Sequence, residues 1–185
     1  PLKDIVKFVE ADKLDTIGFD NQVSFAYYQA LQAIFEGYTL LPQTNFMEEL
    51  RMIKDEKELA TIRKACSISD RAFTDVLDFI KPGQTTELQV ANFLDFRMRE
   101  YGASGVSFES IIASGYRSAM PHGVASEKVI QSGETLTMDF GCYYNHYVSD
   151  MTRTIHIGDT TDEEREIYDI VLRSNQALIR SEERR

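Results

Sequence analysis

Residues 135–157 have the sequence TLTMDFGCYYNHYVSDMTRTIHI, and the predicted elements on either side are arranged around this stretch. Two runs rich in Thr, Val, Ile, Phe and Tyr flank the polar pair Asn145 and His146, and apolar residues alternate with polar ones along both runs. Such alternation is typical of strands that bury one face. The stretch therefore predicts a β-hairpin.

The predicted hairpin brings two aspartates together. A turn centred between Tyr144 and Asn145 places Asp139 directly opposite Asp150, on a face that otherwise carries mainly threonine, while the reverse face carries the large apolar residues. Opposed side chains in an antiparallel pair have Cβ atoms about 4.5 to 5.5 Å apart, and like charges placed that way repel. A positive charge is therefore expected between the two carboxylates.

The residue types alone allow several ways of relieving the repulsion between Asp139 and Asp150. A hard divalent cation held by carboxylate oxygens is one, and a shared proton is another. Arg153 is close in sequence, but by strand parity it points to the opposite face. Alternatively, the two aspartates are solvated on an exposed sheet face and need no compensating positive charge. A register slip of one residue would place them on opposite faces of the sheet.

Composition limits the class of protein. The chain has 185 residues, 43% of them hydrophobic and 11% aromatic, which suits one domain plus a piece of another with a buried core. Its formal net charge of -10 argues against a nucleic-acid-binding surface. No apolar run approaches the roughly 18 residues that a membrane span requires.

Cys66 and Cys142 form no CxxC motif, which favours a reducing compartment and a cytoplasmic location. The start at Pro1 suggests truncation there.

The first part of the chain has the pattern of an α/β domain. Residues 15–19 and 38–41 are predicted strands, and residues 23–36 between them form a predicted helix followed by Gly37. Two short strands cannot build an independent sheet, so residues 1–45 are interpreted as the end of an α/β amino-terminal domain.

Residues 46–185 are interpreted as a second domain. Apolar residues at helical spacing predict a long helix over 55–80 and a second helix that ends at Gly102. Thr85 or Thr86 is expected to cap the second helix, and Gln89, three residues beyond Thr86, suits a capping box. Residues 108–113 form a predicted strand, and a capping box of Thr161 and Glu164 begins a last helix that runs through Ile179.

His122 lies in a predicted loop between Pro121 and Gly123. Functional residues concentrate in loops, and an imidazole can donate a proton near neutral pH, but a lone histidine is more often structural. His146 at the turn and His156 on the polar face are interpreted as structural or exposed.

The combination of motifs is more specific than any one of them. PHG with His122, MDFG with Asp139 and SDMTRT with Asp150 follow IKDEKELATIRKA and FESIIASGYRSAMPHG in an order that resembles the metal-dependent Xaa-Pro peptidases, aminopeptidase P and prolidase. The resemblance implies an α+β chain: the first half of a pita-bread fold, with helices on a curved antiparallel sheet, preceded by the end of an α/β amino-terminal domain. It also implies a homodimeric parent that cleaves the bond before proline in peptides with proline at the second position.

The same resemblance assigns roles to three residues. Asp139 matches a bidentate metal ligand, Asp150 matches a ligand that bridges two divalent ions, and His122 matches a histidine that contacts the substrate and the developing tetrahedral intermediate without binding metal. The ions implied are two Mn²⁺, with Co²⁺ or Zn²⁺ as alternatives. The family's other ligands, a histidine and two glutamates, match nothing after Asp150. We therefore expect a fragment with two ligands of five that binds metal weakly, lacks activity and exposes apolar surface.

Two other functions compete with this interpretation. A pita-bread protein that has lost its ligands could serve as a non-catalytic binding module, but Asp139, Asp150 and His122 are all present. An enzyme resembling methionine aminopeptidase is disfavoured by the PHG motif and by the α/β segment at the start of the chain.

Overall fold

The computed structural model describes residues 2–182 and divides into two compact units, Pro1–Asp55 and Glu56–Arg185. In the first unit the elements are α1 (Leu2–Ala11), β1 (Thr16–Asp20), α2 (Phe25–Ile34), β2 (Thr39–Gln43) and α3 (Phe46–Met52). In the second unit they are α4 (Glu56–Phe79), α5 (Glu87–Glu100), β3 (Gly105–Val106), β4 (Ile111–Ser114), a 3₁₀ turn (Gly115–Ala119), β5 (Glu134–Phe140), β6 (Cys142–Tyr144), β7 (Tyr147–Val148), β8 (Met151–Ile157) and α6 (Asp162–Glu182).

The first unit is a small α/β arrangement. Strands β1 and β2 pair in parallel, and helix α2 connects them. Val9, Leu31 and Phe35 form its buried core. Strand β2 continues through Pro42, beyond the predicted end at Leu41, because a strand with a free edge tolerates a residue that cannot donate a ladder hydrogen bond.

The second unit packs α4 and α5 against antiparallel sheets. Helix α4 buries Ala65, Ile68, Ala72 and Val76, which recur at the three-and-four spacing of one helical face. Helix α5 begins at the predicted capping box, in which Thr86 Oγ1 accepts from the Gln89 N–H and the Gln89 side chain accepts from the Thr86 N–H. The two helices share one hydrophobic core with the sheet.

Two three-stranded sheets follow, with strand orders β4-β5-β8 and β3-β6-β7. Leu136, Met138 and Phe140 of β5 are fully buried, whereas Thr135, Thr137 and Asp139 between them are half-buried. The apolar face of the hairpin is therefore the core face, as predicted. The polar face carries the threonines and Asp139.

The hairpin bends where Gly141 crosses Ser149. Neither residue belongs to a strand, and a Cβ on Gly141 would lie 2.0 Å from the carbonyl oxygen of Ser149. Ser107 Oγ donates to the same carbonyl at 2.9 Å. Only glycine allows this approach, which divides the hairpin between the two sheets.

The predicted hairpin register was wrong by two residues. Asn145 (φ 46°) and His146 (φ 70°) form the turn, and Tyr144 pairs with Tyr147 across it. Positive φ at both central positions is the requirement of a two-residue type I′ turn, for which asparagine is well suited. Asp139 consequently lies opposite Thr152 rather than Asp150. A shift of two residues leaves every side chain on its predicted face.

Helix α6 follows a capping box in which the Thr161 hydroxyl accepts from the Glu164 N–H and the Glu164 carboxylate accepts from the Thr161 N–H. Ile167, Val171 and Leu178 on this helix are 56%, 62% and 67% exposed, so the expected apolar surface is present on α6. No helix within residues 2–182 combines the length and the apolar character needed to cross a membrane.

Candidate functional site

Asp139 occupies the polar face of β5 near the end of the strand. It pairs with Ile111 of β4 on one side and with Thr152 of β8 on the other. Its Oδ1 accepts a hydrogen bond of 2.8 Å from Thr152 Oγ1. The threonine orients one carboxylate oxygen and leaves lone pairs on both oxygens for another ligand.

Asp150 lies diagonally across the hairpin from Asp139, two residues closer to the turn than Thr152. Residues 149–152 alternate buried, exposed, buried, exposed, so Asp150 shares the side of Thr152. Diagonal neighbours in a regular antiparallel pair are about 7 to 8 Å apart, so the two aspartates occupy neighbouring positions on one face.

Ser149 holds the backbone beside Asp150, and sequence reasoning missed it. Its N–H donates to the Cys142 carbonyl at 2.9 Å, and its Oγ accepts from the Cys142 N–H at 3.0 Å. The Ser149 and Ser69 hydroxyls form a buried hydrogen bond of 2.7 Å that ties this point to α4. A serine in a strand pattern carries no signal for such a role, because the role depends on partners distant in sequence.

His122 is exposed in the loop after the 3₁₀ turn. Val124, two residues on, bridges Ile111 in antiparallel fashion, and Ile111 pairs with Asp139. At about 4.8 Å per strand, the backbone of Val124 lies roughly 10 Å from that of Asp139. The loop thus borders the strand that neighbours Asp139.

The loop also lies on the polar side of the sheet. An added Cβ at Gly123 would lie 2.9 Å from Ala113 Cβ, and Ala113 is the cross-strand partner of Thr137. Thr137 shares its face with Asp139 because side chains alternate along a strand. His122 is therefore next to a residue that packs on the face of the two aspartates.

The electrostatics of this face favour a cation. Within residues 2–182, no lysine, arginine or histidine forms an ion pair with Asp139 or Asp150. Arg153 lies opposite Met138 on the other face, as predicted, 3.9 Å from Asp70. Two aspartate carboxylates with oxygen donors suit a hard divalent ion. In the described part of the chain, no group of three or more His, Cys, Asp or Glu could hold a metal ion. The two aspartates therefore fit such an ion by donor type, without a third His, Cys, Asp or Glu grouped with them in those residues.

The other two histidines lie elsewhere. His146 is an exposed turn residue. His156 is opposite Thr135, and its Nε2 is 2.9 Å from the Asp159 carbonyl. It borders an open cleft of about 920 Å³ between the polar face and α6, which Thr137, Thr154, Tyr168 and Asp169 also line. The pKa of Glu164 at this cleft is lowered because the carboxylate accepts hydrogen bonds from the Thr161 N–H and hydroxyl.

A charged network flanks the His122 loop. The Lys128 ammonium donates to Glu134 at 2.7 and 2.8 Å and to Ser114 Oγ at 2.8 Å. Burial would raise the pKa of Glu134, but the hydrogen bonds from Lys128 and from the Gln131 N–H outweigh it and hold that pKa below its ordinary value. Glu134 is therefore a carboxylate at neutral pH.

Comparison with known proteins identifies two segments. Residues 60–183 match the profile of Metallopeptidase family M24, and residues 2–53 match that of the Creatinase/Prolidase N-terminal domain. A Xaa-Pro dipeptidase of Pyrococcus furiosus is 36% identical over 182 residues, covering 95% of this chain and 52% of that protein.

Solved structures agree with these matches. A Xaa-Pro dipeptidase from Bacillus anthracis is 42% identical with a TM-score of 0.84, over 92% of this chain and 48% of that one. An X-Pro aminopeptidase from Thermotoga maritima is 37% identical with a TM-score of 0.87, over 95% and 50%. These likenesses confirm the expected fold class, an α/β amino-terminal segment followed by part of a pita-bread domain. The chain spans about half the length of the curated relatives it matches.

Proposed function

Because the chain belongs to metallopeptidase family M24, we propose that it carries the first part of a site that hydrolyses the peptide bond before proline. One observation carries the proposal: two aspartates share a sheet face with no cationic side chain paired to them in the described residues, and the His122 loop borders the same face. Relatives named as dipeptidases and as aminopeptidases make both Xaa-Pro dipeptides and longer peptides candidate substrates.

Asp139 and Asp150 are the proposed metal ligands in this chain. Divalent ions held there would activate a water molecule and polarise the scissile carbonyl. Thr152 orients Asp139 through its hydrogen bond, and Ser149 fixes the backbone that carries Asp150. We take the ions to be two Mn²⁺, with Co²⁺ or Zn²⁺ as alternatives.

His122 is the proposed substrate-contacting residue. His122 is exposed in the loop that borders the face of the aspartates, and an imidazole there could donate a hydrogen bond or a proton to a bound peptide near neutral pH. The substrate would carry proline at its second position. We further propose that the protein is cytoplasmic and homodimeric. The free Cys66 and Cys142 support a reducing compartment, and they do not bear on the oligomeric state.

We expect the 185-residue chain alone to bind Mn²⁺ weakly and to lack peptidase activity, because it supplies two of the five ligands that the family resemblance implies. Mn²⁺ titrated into ¹⁵N-labelled chain should broaden the amide signals around Asp139 and Asp150, through the unpaired electrons of the ion. Asp139→Asn and Asp150→Asn should each abolish the broadening. Asp78→Asn, on an exposed position of α4, is the matched control and should leave it unchanged.

Two results would contradict this proposal. One is broadening that survives both aspartate substitutions, which would place the ion elsewhere. The other is tight binding of two Mn²⁺ ions per chain in calorimetry, which would mean that the site is complete without further ligands. Cleavage assays with a Xaa-Pro dipeptide and a Xaa-Pro tripeptide, run on protein that holds all five ligands, then distinguish dipeptidase from aminopeptidase, and cleavage of neither would favour a binding module.

A further inference from the structure

We propose that Glu87 is a positioning residue whose buried carboxylate closes the loop that carries His122 and thereby fixes the imidazole beside the polar face of the sheet. This inference rests on the proposed role of His122. Glu87 is the first residue of α5, and its side chain is 0% exposed. A carboxylate buried this deeply is costly unless it is both paired and hydrogen-bonded.

Both ends of the His122 loop meet on this one carboxylate. Glu87 Oε1 accepts from the Ser114 N–H at 2.8 Å and from the Ser114 hydroxyl at 2.9 Å. Glu87 Oε2 accepts from the Ser126 N–H at 3.2 Å and from the Ser126 hydroxyl at 2.6 Å. The segment 115–125 between these two serines is therefore closed by a single side chain from another element.

Arg117 extends the contact from Glu87 to the histidine. Its Nε donates to Glu87 Oε2 at 3.0 Å, and its Nη2 donates to the Val124 carbonyl at 2.6 Å. The Val124 N–H in turn donates to the His122 carbonyl at 2.9 Å. Hydrogen bonds that involve charged groups are roughly twice as strong as neutral ones. The two bonds made by Arg117 should therefore restrain the backbone of the exposed loop near His122.

The neighbouring elements do not depend on the carboxylate. The backbone N–H groups of Glu87 and Leu88 donate to the carbonyls of Lys128 and Ser126 at 3.0 and 2.9 Å, which docks the start of α5. Strand β4 is held by its ladder with β5. Loss of the side-chain contacts should therefore loosen the loop more than the helix or the sheet.

Native-state hydrogen exchange by NMR tests this directly on the full 185-residue chain. The Gly123 and Val124 amides report on the loop, and the Met138 amide reports on the sheet. In Glu87→Gln and in Arg117→Ala, the ratio of loop exchange rate to sheet exchange rate should rise at least about tenfold, the equivalent of one lost charged hydrogen bond.

Glu127→Gln is the matched control, because Glu127 is exposed directly after Ser126 and its side chain has no hydrogen bond or ion pair in the described residues. It should leave the ratio at the parent value. Arg117→Ala keeps four donors on Glu87, so it remains informative if Glu87→Gln does not fold. A parent-like ratio in Arg117→Ala would overturn the proposal.

The imidazole itself supplies a second readout. The ring signals of His122, assigned by their absence in His122→Asn, should shift or broaden in Arg117→Ala, whereas those of His146 at the turn should not. An unchanged His122 ring in a loosened loop would mean that the network stabilises structure without positioning the histidine. Neither measurement needs metal or peptide, so failure here leaves the Mn²⁺ test of the proposed function untouched.

Discussion

Replacing Gly141 with alanine should destabilise the second unit and disturb the backbone next to Asp150. The new Cβ would lie 2.0 Å from the Ser149 carbonyl oxygen and 2.5 Å from Ser107 Oγ, so the carbonyl must retreat to at least 3.0 Å. That movement breaks the 2.9 Å hydrogen bond from Ser107 and strains the two bonds that join Ser149 to Cys142. Overpacking against a backbone and the loss of about one hydrogen bond together cost roughly 3 kcal/mol.

Hydrogen exchange of the β5 amides measures this cost, because those amides belong to the second unit alone. A loss of about 3 kcal/mol corresponds to exchange on the order of 100-fold faster, since each 1.4 kcal/mol is about tenfold. The matched control is Gly105→Ala on the adjoining strand β3, where the nearest atom to an added Cβ is Arg99 Nη2 at 3.4 Å, an ordinary van der Waals distance. Its exchange rates should stay close to those of the parent.

The result that would refute this reasoning is parent-like exchange in Gly141→Ala. It would mean that the backbones of Gly141 and Ser149 can move apart without a loss of stability. Gly141 would then not limit the position of the backbone next to Asp150. Equal destabilisation by both substitutions would point instead to the general preference of strands for or against alanine.

Three further outcomes follow from the structure. The pKa of the Glu134 carboxyl lies below its ordinary value of 4.5, so the ionised carboxylate stabilises the fold above pH 4.5. This stabilisation is lost as the pH falls through the pKa of the folded state. Urea unfolding should therefore show Glu134→Gln less stable than the parent at neutral pH, with the difference in free energy of unfolding closing below about pH 4.5. Thr86→Ala should lower the free energy of unfolding by about 1 kcal/mol through loss of the cap, and Thr86→Ser should restore most of it. Phe140→Ala should cost roughly 3 to 5 kcal/mol in the same assay, because the ring is fully buried in the sheet core; a loss below about 1 kcal/mol would mean that the site collapses around the missing ring.

Local patterns were sufficient for much of the fold. The Thr86 and Thr161 capping boxes begin helices as predicted, because a cap needs only residues three positions apart. The alternation along β5 also identified the core face, because strand side chains repeat every two residues. The motif order around His122, Asp139 and Asp150 was sufficient to indicate the metallopeptidase family, because motifs and their spacing are properties of the sequence alone.

The amino-acid sequence by itself thus determined the longest helices, the buried face of β5 and the face that Asp139 and Asp150 share, because these follow from periodicity along a single strand or helix. Only the tertiary structure decided the register, since the turn formed on Asn145 and His146 at positive φ and moved the partner of Asp139 to Thr152. It also decided that Glu87 is buried beneath the His122 loop. A glutamate in the first turn of a helix is ordinarily a solvated charge, and its burial depends on donors more than 25 residues away along the chain.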